Sequence, residues 1–218
     1  MRCNVCGLEY GMAHNCPGAI TGSALDILNA GMEAPTNGGI GYYLGEAFKI
    51  VRWDDVAIRR NAKDQRATMY AVVIWLASIF LILCLSTWPY WFKLPAGANP
   101  SKMILALVTG VIFMFVVLAI VTLVQLSLCH SIAKLFFGAK GRFIEVMRPL
   151  LLGWIVNLLG VIPVAGTLLA AIGWTAVLMM VFEEVDEIER LQAFGISAGI
   201  NVVFSVLMIM LIPARHPM

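Results

Sequence analysis

The chain has 218 residues, 61% of them hydrophobic and only 13% charged, with a mean hydropathy of +0.88. Too few polar side chains remain to clothe a water-soluble globule, which excludes a soluble enzyme, a disordered chain and a secreted disulfide scaffold. The net charge of +2 gives no basis for nucleic-acid binding, so an integral membrane protein with a small polar appendage is the class that remains.

Residues 1–18 form a polar head. Cys3 and Cys6 make a C-x2-C pair, and His14 and Cys16 follow as H-x-C. Three thiolates and one imidazole are a tetrahedral donor set for structural zinc, a zinc-ribbon-like knuckle with no open position for catalysis. The second C-x2-C of most zinc ribbons is missing, because Ala19 stands where its partner cysteine belongs. Free thiols and a redox C-x-x-C are the competing readings. Residues 19–41, rich in Gly, Pro, Ser, Thr and Asn, read as a flexible linker.

Residues 42–66 are amphipathic. Leu44, Phe48 and Val51 follow helical spacing, with Glu46, Lys49 and Arg52 on other faces. Trp53 is of the type that settles at a membrane–water boundary, and Arg59, Arg60, Lys63 and Arg66 suit anionic headgroups. Phe48, Val51, Trp53, Arg59 and Arg60 are therefore the expected membrane-interface residues of a helix lying on the cytoplasmic leaflet. A juxtamembrane helix packed on loops is the plainer alternative.

Residues 67–214 contain four stretches without Asp, Glu, Lys or Arg: Ala67 to Phe92, Met103 to Ala133, Pro149 to Phe182 and Leu191 to Ala214. A spanning helix needs about 20 apolar residues. The first, second and fourth stretches each predict one helix, at about 69–88, 104–128 and 193–212. The third would reach about 51 Å as a single rod, too long for one span. Gly160, Pro163 and Gly166 break it, so it predicts a helical hairpin that turns between Ile162 and residue 165, with its first arm starting near Glu145. The fold class expected is an all-α, five-helix transmembrane bundle. Both ends of the hairpin emerge on one side, which places 12 of the 15 Lys and Arg residues on a single face. The positive-inside rule then makes the N-terminus cytoplasmic and the C-terminus opposite, in the inner membrane if the cell is prokaryotic.

No charge falls inside the spans except Glu145 and Arg148 at the hairpin mouth, which disfavours ion-coupled transport. Gln125, Asn157, Thr167 and Asn201 are expected to hydrogen-bond neighbouring helices, Asn157 as a packing residue. A channel or transporter whose hairpin lines a polar path, with Asn157, Thr167 and Gln125 facing one cavity, is the alternative. Gly195 and Gly199 form a small-xxx-small face suited to packing inside the bundle or to a homo-oligomer. Cys129 and His130 could be nucleophile and base, but no third orienting group is visible. Between the last two helices, Glu183, Glu184, Asp186, Glu187 and Glu189 make an acidic link that could dock a basic partner, pair with Arg142 or Arg148, bind a divalent ion weakly, or simply stand solvated; Asp186 and Arg190 are spaced for a helical ion pair.

The order of parts resembles the Yip (Ypt-interacting protein) domain family. The resemblance is carried by Lys134 to Gly141 before the hairpin, Phe143 to Leu151 leading into Gly153-Trp154, and the Ile162-Pro163 break. Trp174, the run Thr175 to Phe182, the acidic link and Ala193-Phe194 add to it, as does the amphipathic lead-in Phe48 to Asp55. It covers about residues 42–212 and looks most like prokaryotic members, some with an N-terminal zinc ribbon. It implies a non-enzymatic membrane scaffold or organiser, embedded in a lipid bilayer, with protein partners at its cytoplasmic face. Eukaryotic relatives imply Rab-type GTPase partners and vesicle traffic. No catalytic residue comes with the resemblance.

Overall fold

A computed structural model describes residues 38–91, 99–163 and 165–211. The zinc set Cys3, Cys6, His14 and Cys16 and most of the 19–41 linker lie outside these residues. Among the described residues all regular structure is helical: α1 (Ile40–Val51), α2 (Asp55–Lys63), α3 (Ala67–Trp91), α4 (Pro100–Phe137), α5 (Phe143–Gly153), a 3-10 segment (Trp154–Val161), α6 (Gly166–Val185) and α7 (Arg190–Leu211). Four stretches are long and apolar enough to cross a membrane: Ala67–Trp88, Ser101–Phe137, Phe143–Val161 and Gly166–Val185. An integral membrane protein is the class this defines. The described part of α7 is not among the four, so the expected count of five spans is not reached on this criterion.

The amphipathic segment is two helices. Trp53 adopts a left-handed backbone (φ 64°), and the Asp54 amide turns back to the Lys49 carbonyl at 3.1 Å, closing α1. Asp54 then caps α2 by accepting from the Ala57 amide at 3.0 Å. Both helices pack on α5, and α1 also meets α3 and the 3-10 segment.

α4 is a single helix of 38 residues, nine beyond the expected end at 128. It stops where Gly138 takes a left-handed conformation (φ 68°) and the Ala139 amide donates to the Ala133 carbonyl. The hairpin folds as expected, with one internal difference: its first arm tightens from α-helix to 3-10 at Trp154. Glycine lets the arms close. A Cβ at Gly173 would come within 2.6 Å of Val156 Cγ2, and one at Gly153 within 2.6 Å of Val177 Cγ1. The core runs through α3, α5 and α6, with Ile79, Leu150, Leu152, Val177 and Phe182 fully buried, whereas most of α4 faces outward.

Candidate functional site

Charge is concentrated at one end of the bundle, where α1, α2, the start of α5 and the acidic link meet. Glu46 sits at its centre, 1% exposed. Arg60 donates to Glu46 Oε2 from Nε at 3.0 Å and from a terminal nitrogen at 2.6 Å. Asn61 Nδ2 donates to the same oxygen at 2.9 Å, and Lys49 Nζ to Oε1 at 2.9 Å. Hydrogen bonding this dense is what allows a carboxylate to be buried. Tyr43 stacks on Tyr70 of α3, with ring centroids 4.4 Å apart, and donates its hydroxyl to Asp64. Burial first, then that hydrogen bond, pushes the Tyr43 phenol well above its ordinary range. Arg148 of α5 reaches back to the Ala62 carbonyl (2.7 Å) and the Thr68 hydroxyl (2.8 Å). These bonds fasten α1 and α2 to the bundle as one platform.

Of the readings open for the acidic link, pairing with Arg142 or Arg148 is not formed. Arg142 pairs with Glu145 within its own first turn, and Arg148 turns away to α2 and α3. Asp186 and Arg190 do not pair with each other. Arg190 bonds Glu183 at 2.8 Å, and Asp186 is fully buried with Oδ2 3.3 Å from His130 Nδ1. Burial raises the Asp186 carboxyl above the usual range, and His130 beside it opposes the rise. The Lys140 amide donates to the Asp186 carbonyl at 3.1 Å, and a Cβ at Gly141 would fall 2.5 Å from Asp186 Oδ1. Asp186 is thus the partner of His130 that the sequence did not reveal, 56 residues away. Cys129, next to it in the chain, is fully buried.

The remaining link carboxylates line a groove of about 690 Å³ at this end. Arg59 and Lys63 of α2 form one wall; Glu145, Glu183, Glu184, Glu187 and Glu189 supply the acidic lining. Arg59 bonds Glu184 at 2.6 Å and so holds α2 against the end of α6; that hydrogen bond raises the Arg59 pKa. Lys140 bonds Glu187 at 2.7 Å, which holds the Glu187 carboxyl below its usual range. Arg142, Arg190, Arg59 and Lys140 each pair with one of these carboxylates, so among the described residues Glu189 is the lining carboxylate without an ion pair.

The expected interface residues divide. Phe48 (58% exposed) and Trp53 (56%) face outward, while Arg59 and Arg60 are held in the ion pairs above. Phe48 and Val51 share an apolar groove with Ile155, Leu159 and Ile162 of the hairpin, so the outer face of α1 continues the apolar face of the bundle. Gly195 and Gly199 are exposed, and no heavy atom lies within 4 Å of where either Cβ would stand; among the described residues nothing uses the close approach they permit.

A second concavity, about 370 Å³, lies among α3, α4, the 3-10 segment, α6 and α7. Gln125, Asn157, Thr167 and Asn201 all line it. The Gln125 amide nitrogen donates to Asn201, whose own nitrogen donates to the Thr175 hydroxyl at 2.7 Å. Asn157 Nδ2 donates to the Trp154 carbonyl at 3.1 Å. Among the described residues no group of three or more His, Cys, Asp or Glu could hold a metal ion.

No family model, curated protein or solved structure matches the chain.

Proposed function

We propose that the chain is a non-enzymatic membrane scaffold of the Yip type that offers its acidic groove to a basic segment of a partner protein. The groove carries the reading: five carboxylates gather in a space of about 690 Å³, and Arg142, Arg190 and Lys140, which pair with three of them, are well-exposed side chains that a partner's basic residues can replace. Exchange of these surface ion pairs for a partner's basic residues fixes the partner's register. The buried Glu46 and Asp186 clusters support it, because they hold the groove's walls in place before any partner arrives. The outward Phe48 and Trp53 support a lipid-seated α1, which would keep the groove near the membrane surface. Five spans, a cytoplasmic N-terminus and a zinc-bound head complete the proposal.

A photo-crosslinker at position 189, in cells, is expected to trap a discrete adduct that vanishes when Glu183 and Glu187 are both changed to Lys. A probe at Ile104, at the far end of α4, is expected to trap none. Equal adducts at both positions, or indifference to the charge reversal, overturns the reading. Reporters fused before Met1 and after Met218 test the topology: signals from the same side of the membrane refute five spans.

A further inference from the structure

We propose that the cleft lined by Gln125, Asn157 and Asn201 binds a single uncharged hydroxylated group, either the head of a neutral lipid such as diacylglycerol or a free polyol. The argument begins with hydrogen-bond accounting. The chain from Gln125 to Asn201 to Thr175 ends in the Ala171 carbonyl, 2.8 Å from the Thr175 hydroxyl. Along the cleft it leaves the second Gln125 amide atom, the Asn157 carbonyl oxygen and the Thr122 and Thr167 hydroxyls with no partner among the described residues. Each side-chain amide offers both a donor and an acceptor, so exchanging its nitrogen and oxygen leaves the conclusion intact. Polar groups left open beside hydrocarbon cost roughly 1–3 kcal/mol or more apiece, so the cleft favours a guest that satisfies them.

The character of the walls selects that guest. No Asp, Glu, Lys, Arg or His lines the cleft, so an ion would lose its hydration and meet no counter-charge. Hydroxyl groups, which donate and accept at once, match amides and threonines. Around them stand Ile82, Leu118, Trp154, Trp174 and Phe204, an apolar surround suited to an amphiphile. The volume lies within the usual range of small-molecule pockets, about 300–1,000 Å³. Toward the charged end, Leu126, Leu178, Val181 and Phe182 are fully buried, and no lining residue of the cleft lies beyond Gln125 and Trp174. The cleft therefore stops short of the charged end and does not run through to it.

The test uses the purified full chain in detergent, titrated with dioctanoylglycerol, with glycerol and with dioctanoyl phosphatidate. Readouts are tryptophan emission, since Trp154 and Trp174 line the cleft, and one-to-one adducts in native mass spectrometry. Saturable one-to-one binding of dioctanoylglycerol is expected, weakened about 3- to 10-fold by Thr122→Val and by Asn157→Leu. Phosphatidate is expected to bind at least as much more weakly. Saturation by glycerol with the same sensitivity to both variants identifies the free polyol as the source. Thr122→Val keeps its shape and loses only the hydroxyl, so it decides the matter if Asn157→Leu lowers the unfolding temperature. No saturable binding of either neutral probe, equal binding of phosphatidate, or full affinity in Thr122→Val overturns the proposal.

Discussion

Replacing Glu46 by Gln is the sharpest probe of how the two short helices are fixed to the bundle. The substitution preserves side-chain shape and removes one charge. In the native protein the carboxylate is 1% exposed and accepts from Arg60, Asn61 and Lys49. Breaking a buried pair by removing one member costs about 3–5 kcal/mol. The Arg60 side chain is 14% exposed and that of Lys49 51%, so water recovers part of the loss and about 2–3 kcal/mol is the reasoned figure. For a chain of this length that corresponds to a fall in Tm of roughly 4–12 °C. The damage is local, so hydrogen exchange is the better assay: amides of α1 and α2 are expected to lose protection while those of α6 keep theirs. Pairing Glu46→Gln with Arg60→Met should cost less than the sum of the single changes by about 1 kcal/mol or more. Additivity within about 0.5 kcal/mol, or protection lost evenly through the bundle, refutes the reasoning.

Three further changes test other parts. Trp53→Gly relieves a left-handed backbone that costs a bulky residue about 1–2 kcal/mol, so Tm in detergent is expected to rise slightly; a drop instead means that the indole packs against protein. Gly166→Ala drives a methyl into the Leu159 carbonyl oxygen and is expected to abolish a monodisperse product on size exclusion, whereas Gly110→Ala, with open space around it, is neutral or stabilising by up to about 1 kcal/mol. Protein purified without chelator is expected to carry one zinc per chain, and Cys3→Ser to lose it; metal content unchanged by that substitution removes the zinc head.

Much of the architecture was legible because lipid is a demanding solvent. The charge-free runs appear as α3, α4, the hairpin and α7, and the break at Pro163 falls where a missing amide donor requires it. Other boundaries were hidden for physical reasons. The split between α1 and α2 depends on Trp53 entering a conformation that its residue type disfavours, and no pattern announces that, although the Asp54 cap is a readable signal. The extension of α4 past residue 128 is favoured by a tertiary contact, His130 with Asp186, whose partner lies 56 positions on. Glu46 reads as one more polar residue on a solvated face, because burial of a carboxylate depends on Arg60 and Asn61 arriving from another helix. The spacing of Gly195 and Gly199 signalled close packing, but the neighbouring helices settled elsewhere.

The 38-residue length of α4 has a mechanical consequence. A rod of about 57 Å exceeds the roughly 30 Å of hydrocarbon in a bilayer, so it must either lean or protrude. Its lower portion is moored through His130 to the acidic connection between α6 and α7. Any tilt of the rod is therefore anchored at that buried contact, about two turns from its end at Phe137.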